Sequence, residues 1–136
     1  MGNRQEIQMP ATEGMFDHLG CVEAVKAGAS VHVSGQVGWD ENLKPAVGME
    51  AQARLAFQNL KKVLKKAGAE PRHITHLQLF FVIPQGGPSM MEQATVVFNV
   101  KKEVMPECRP AATGVRVMEL VLPELMLEVQ ATAVID

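Results

Sequence analysis

Between residues 47 and 68 the apolar positions recur three and four apart. Ala53, Phe57, Leu60, Leu64 and Ala67 line one stripe, the mark of a helix buried along one side. Glu50 lies near its start and Lys65 and Lys66 near its end, each where the helix dipole favours that sign of charge. Gly68 is a natural stop. Elsewhere the period is two. Val31 and Val33 alternate with His32 and Ser34, as in a half-buried strand, and 22–37 reads as two strands joined around Gly28. From Leu79 onward "ITHLQLFFVI" is apolar on both parities, which predicts a central strand covered on both faces. Ser89 and Glu92 have the spacing of a capping box. A second helix should follow, carrying Ala94, Val97, Phe98 and Met105 and ending at Pro106. "AATGVRVMELV" and "LMLEVQATAVI" predict two further strands, broken near Leu122-Pro123.

The order β-β-α-β-α-β-β predicts an α+β sandwich, two helices packed on one face of a mixed sheet. We read 1–136 as a single domain, with residues 1–12 as a loose N-terminal arm. In the last strand Leu127, Val129, Ala131, Ala133 and Ile135 form the core face. Glu128, Gln130 and Thr132 form the other. A sheet bare on that side is expected to pair with other copies of the chain.

Charge narrows the function classes. The formal net charge of −2 argues against a dedicated nucleic-acid partner, because neutralising phosphates needs a basic surface. Lys61, Lys62, Lys65 and Lys66 cluster, but as one solvated helix face. Two cysteines, Cys21 and Cys108, cannot form a disulfide framework. With no leader pattern at the start, the expected location is the cytoplasm. No apolar run approaches the ~20 residues that cross a bilayer, so no membrane partner is expected. His73 and His76 lack companions at metal-ligand spacing, and no glycine-rich loop fits a phosphate; no metal and no cofactor are expected.

The candidate chemistry sits in strands. Glu128 lies mid-strand and fits two roles: a carboxylate paired with Arg116 on the neighbouring strand, or a base that holds water. Arg116 alternates with Val115 and Val117, which turns it to the non-core face. Arg109, in "PECRPAATGV", fits a strand-entry anchor better than a ligand grip. Ser34 fits a turn former and a cleft-lining donor. Gly35 after it allows a ligand or another backbone to come close. Cys21 and Cys108 have no evident activating base and read as small packing residues.

"VSGQV", "QARLAFQNLKKVLKKAGA", "RPAATGVRV" and "LEVQATAVI", in that order, resemble the RidA family, also called YjgF-like or L-PSP-type proteins, from about Gly20 to the C-terminus. The resemblance implies a chorismate-mutase-like subunit and a homotrimer with a small-molecule cleft at each subunit interface. In the deaminase branch these clefts hydrolyse enamines and imines derived from amino acids. There an arginine in a "Pro-Ala-Arg-Ser" strand entry clamps the substrate carboxylate, and a last-strand carboxylate positions water. Carried over by position, the clamp falls on Ala112, followed by Thr113. The water-holding acid is Glu128, and the turn serine is Ser34. A first-strand aromatic position is taken by Cys21. Loss of a bidentate arginine clamp should cost on the order of 2–5 kcal/mol of binding. The chain thus resembles branches without that arginine.

Three functions follow. One is an imine or enamine hydrolase with a non-standard substrate, Glu128 holding water while Ser34 polarises the substrate. Another is a trimeric metabolite-binding protein without turnover. The third, disfavoured by the charge balance and the lack of an aromatic platform, is an endoribonuclease.

Overall fold

A computed structural model of the chain describes residues 3–136. Six strands form one sheet in the order β1-β2-β3-β6-β4-β5. They are β1 (Arg4–Ile7), β2 (Ala24–Ala27), β3 (Ser30–Val37), β4 (Ile74–Phe81), β5 (Ala111–Arg116) and β6 (Leu127–Val134). Neighbours run antiparallel except β4 and β5, which are parallel. The helices are α1 (Glu13–Leu19), α2 (Met49–Lys66) and α3 (Met90–Val104). The α+β sandwich with a mixed sheet is the one predicted.

The helix stripe is the core. Ala53, Phe57, Leu60 and Leu64 are fully buried, as are Leu77, Leu79, Leu127 and Val129 on the sheet beneath. Alternation along β6 is strict: Leu127, Val129, Ala131 and Ala133 are buried, while Glu128, Gln130, Thr132 and Val134 are not. α3 begins as the capping pattern predicts, the Ser89 hydroxyl accepting the Glu92 N–H at 3.1 Å.

Close approach of α2 to β3 is set at Gly38. A Cβ there would fall within 3.0 Å of the Gln52 backbone, so any other residue would force the helix away. Two amides of α2 fasten this contact. Asn59 donates to the Val37 and Trp39 carbonyls, each at 3.0 Å. Gln52 donates to the Ala46 and Glu124 carbonyls and accepts the Met126 N–H at 2.8 Å.

Several expectations need correction. Residues 4–7 of the supposed arm form β1, paired with β2 from Arg4↔Ala27 to Ile7↔Ala24; residues 1–2 of that arm lie outside the described residues. The strand carries one buried side chain, Ile7, so backbone pairing holds it and no apolar period betrays it. α1 was unassigned for the same reason, having no buried residue. β4 is covered on one face only, for Phe80 and Gln78 keep partial exposure.

Arg116 is not on the non-core face. It pairs in register with Phe81, a buried core residue, and its guanidinium donates to the Ile83 carbonyl at 2.6 Å. Nor are β5 and β6 neighbours, because β4 lies between them. An intrachain Glu128–Arg116 pair is therefore excluded. The two-residue period gave Arg116 its alternation but not which parity faces the helices.

Substituting Gly38 should separate packing from helix propensity. Gly38→Ala is expected to lose about 1–3 kcal/mol in urea unfolding through overpacking. Gly14→Ala, whose added methyl meets nothing within 4 Å, should be neutral or stabilising. Equal effects would show that α2 does not depend on this contact.

Candidate functional site

The site grows from an irregularity in β3. Val33 faces Ala131 and Gln36 faces Val129, so β3 uses three steps where β6 uses two. The extra residue makes a bulge at Ser34-Gly35, a device that re-aims side chains beside sites. The Ser34 N–H donates to the Glu23 carbonyl at 2.8 Å, and its hydroxyl donates to the Val22 carbonyl at 2.7 Å. Gly35 is left beneath the Glu128 side chain. A Cβ on Gly35 would lie within 3.0 Å of the Glu128 carboxyl group; glycine makes room for it.

Glu128 itself is half-buried. Desolvation raises its carboxyl pKa above the ordinary value, since burial disfavours the charged form. Among the described residues no hydrogen bond or ion pair engages its carboxylate. It borders a cavity of about 220 Å³ whose lining includes Ser34, Gly35, Phe16, Trp39 and Glu23.

Glu23 is the residue that sequence reasoning missed. It is 3% exposed, yet it carries a carboxylate. The Thr12 hydroxyl donates to one oxygen, and the Gln36 amide donates to the other at 2.6 Å. All its partners are neutral, and no ion pair among the described residues includes it. The available signal was an acid between Val22 and Ala24, at the mouth of a strand where a surface residue gains nothing from burial. A second cavity, of about 440 Å³, shares Thr12, Glu23, Gln36 and Trp39 with the first. The Thr12–Glu23–Gln36 network is thus the partition between them.

Of the residues singled out in the sequence, the structure gathers Ser34, Gly35 and Glu128. It does not bring Arg109, Ala112, Thr113 or Cys21 to this cavity. Val115, Phe80 and Glu128 stand level across the sheet. Arg109 precedes Val115 by six positions, about 20 Å along a strand, and is exposed. Thr113 stands level with Gln78 and Gln130. Ala112 pairs with the buried Leu77. All six residues of β5 are exposed. Cys21 is exposed, its thiol 3.7 Å from the Leu19 carbonyl. Cys108 is buried, and desolvation raises its thiol pKa, which suits packing and not reactivity.

Ser34 also differs from its expected role. Its proton is committed to the Val22 carbonyl, so towards the cavity the hydroxyl can only accept. Among the described residues no three His, Cys, Asp or Glu side chains converge as a metal cluster, and no helix is long and apolar enough to cross a membrane.

Comparison with known proteins places this geometry. The family model described as Endoribonuclease L-PSP matches residues 18–135. A curated relative, Protein mmf2, mitochondrial, from Schizosaccharomyces pombe, is 32% identical over 94 residues, 68% of each chain. A solved structure described as Protein YJGH superposes with a TM-score of 0.79 at 27% identity, over 98% of this chain and 97% of that one. A member of the YjgF family from Mycobacterium tuberculosis gives a TM-score of 0.80 at 22% identity, over 97% and 99%; that likeness is one of fold.

Gln36→Leu tests the partition. It leaves one oxygen of a buried carboxylate without its donor, and is expected to cost about 1–3 kcal/mol in urea unfolding. The double variant Glu23→Leu with Gln36→Leu should recover part of that loss. A double variant no more stable than Gln36→Leu alone would remove Glu23 as the cause.

Proposed function

The chain belongs to the Endoribonuclease L-PSP family, the YjgF/RidA group, and on that premise we propose that it is a hydrolase of C=N bonds whose clefts are completed where three copies of the chain meet. The observation that carries this reading is the Glu128 carboxylate, held over Gly35, partly desolvated and engaged by no other group among the described residues. A carboxylate in that state is a competent base at neutral pH.

The reaction is hydrolysis. Glu128 accepts a proton from water as the water oxygen adds to the C=N carbon. Glu128 passes that proton to nitrogen, giving a carbinolamine. It then takes the carbinolamine hydroxyl proton and delivers it to the departing nitrogen as the C–N bond breaks, so that a carbonyl and an amine result. Ser34, able only to accept, takes a hydrogen bond from the substrate's N–H and orients it.

Oligomerisation supplies what one chain lacks. Arg109, Ala112 and Thr113 lie at the β5 edge, two strands from β6 and exposed. In a trimer this edge of one copy faces the Glu128 cavity of the next, with Cys21 near the same seam. The bare sheet face is mixed: Val115 and Val134 are its exposed large apolar side chains, set among His32, Gln130 and Thr113. Arg109 anchors the strand entry at this contact.

A second reading, a metabolite binder without turnover, is favoured by Ala112 at the clamp position of the deaminases. An endoribonuclease is opposed by the cavity lining, which has carboxylates and no cation to meet a phosphate.

The test is an imine-hydrolysis assay on freshly generated 2-iminobutyrate, 2-aminoacrylate and simple alkyl imines. Glu128→Ala should lower kcat about 10²–10⁴-fold. With the intact chain, activity should be lost as pH falls through a pKa above the ordinary 4.5 of a glutamate, because the base must be ionised; Glu128→Gln should abolish that limb. Turnover unchanged in Glu128→Ala would end the hydrolase reading. Light scattering giving a stable monomer would end the trimeric one.

A further inference from the structure

The cavity beside Glu128 has a one-sided charge. Among the described residues its two ionisable side chains are Glu23 and Glu128, and no lysine, arginine or histidine lines it. The rest of the wall is largely apolar, with Met15, Phe16 and Trp39 inside and the exposed Leu19 and Val121 at the rim. Glu23 is buried and has both oxygens held by neutral donors. Two aromatic residues, Phe16 and Trp39, line the same space. A cation gains from such a wall twice, by Coulomb attraction in a low-dielectric pocket and by contact with ring faces. An anion loses on both counts.

We propose that Glu23 is the specificity-determining residue of this cavity, and that it selects a small, positively charged nitrogen compound without a carboxylate, an alkylammonium or a protonated imine. This inference names the substrate class of the hydrolase proposed above and rests on that assignment of the cavity. It agrees with two independent features of the chain. Ala112 stands where the deaminases carry a carboxylate clamp, so nothing from that position would hold an anionic substrate. Ser34 accepts and does not donate towards the cavity, which suits an N–H⁺ and not a carboxylate oxygen. Glu23 touches neither the bond that breaks nor the attacking water. It sets the sign of the charge admitted, while Glu128 handles the proton.

Trp39 is the one tryptophan of the chain and lines this cavity and the one across the partition, so its fluorescence reports occupancy of either. The experiment titrates the purified oligomer at neutral pH with three molecules of similar size: isobutylammonium, isobutyramide and isobutyrate. Calorimetry gives the affinities, and Trp39 emission read together with Glu128→Gln gives the place, because Glu128 lines this cavity and not its neighbour. The ammonium should bind about tenfold or more tighter than the carboxylate, with a change in emission. Glu23→Gln, which keeps the size, still accepts from Gln36 and can donate to the Thr12 hydroxyl, should reduce that preference about tenfold. If Glu23→Gln fails to fold, the double variant Glu23→Leu with Gln36→Leu, which removes the carboxylate together with its amide donor, serves as the second variant and should lose the preference as well. Isobutyrate binding as tightly as the ammonium, binding that leaves Trp39 emission unchanged, or no binding of the ammonium would each overturn the proposal. A charge preference that persists while Glu128→Ala leaves turnover intact would sink the hydrolase mechanism and spare the selectivity.

Discussion

The last strand of the chain occupies the middle of the sheet, and everything else is arranged around that insertion. β6 pairs with β3 on one side and β4 on the other. It joins two halves that otherwise share no ladder, β1-β2-β3 and β4-β5. Until it docks, the faces of β3 and β4 have no continuous floor for α2 to cover. A sheet closed by such distant partners costs loop entropy before any pairing is gained. Its stability then depends on the burial of Leu127, Val129, Ala131 and Ala133 against the helix stripe.

The same insertion builds the site. β6 delivers Glu128 to its other face, opposite the end of β3. β3 accommodates it with a bulge whose glycine leaves space for the carboxyl group. Asn59 and Gln52 then hold the ends of both strands to α2. A rigid helix thus positions a cavity that loops alone would leave loose.

Two glutamates share that cavity in opposite circumstances. Glu23 has a donor on each oxygen, which fixes its carboxyl group in the wall. Glu128 has none, and burial makes its proton easier to keep. Two like groups in different environments can divide the labour of binding and proton transfer. The partition Thr12–Glu23–Gln36 draws on α1's entry, β2's entry and the end of β3, three places with no common sequence pattern.

Periodicity and local chemistry were enough for α2, α3, the core strands and the bare face of β6. Each depends on where apolar side chains recur along one element, and recurrence is written in the chain. The resemblance named Ser34, Gly35 and Glu128, and the structure sets these three around one cavity. Strand order was not legible, so Arg116 was given the wrong face and the wrong neighbour. β1 was missed because four residues held by backbone hydrogen bonds leave no period. Glu23 escaped because a buried acid is explained only by its partners, and those lie 11 and 13 residues away. What the amino-acid sequence determined by itself was which faces are apolar. What only the tertiary structure decided was which polar groups meet, because hydrogen bonds and charges act between atoms brought together by topology, whereas the hydrophobic pattern acts along each element alone.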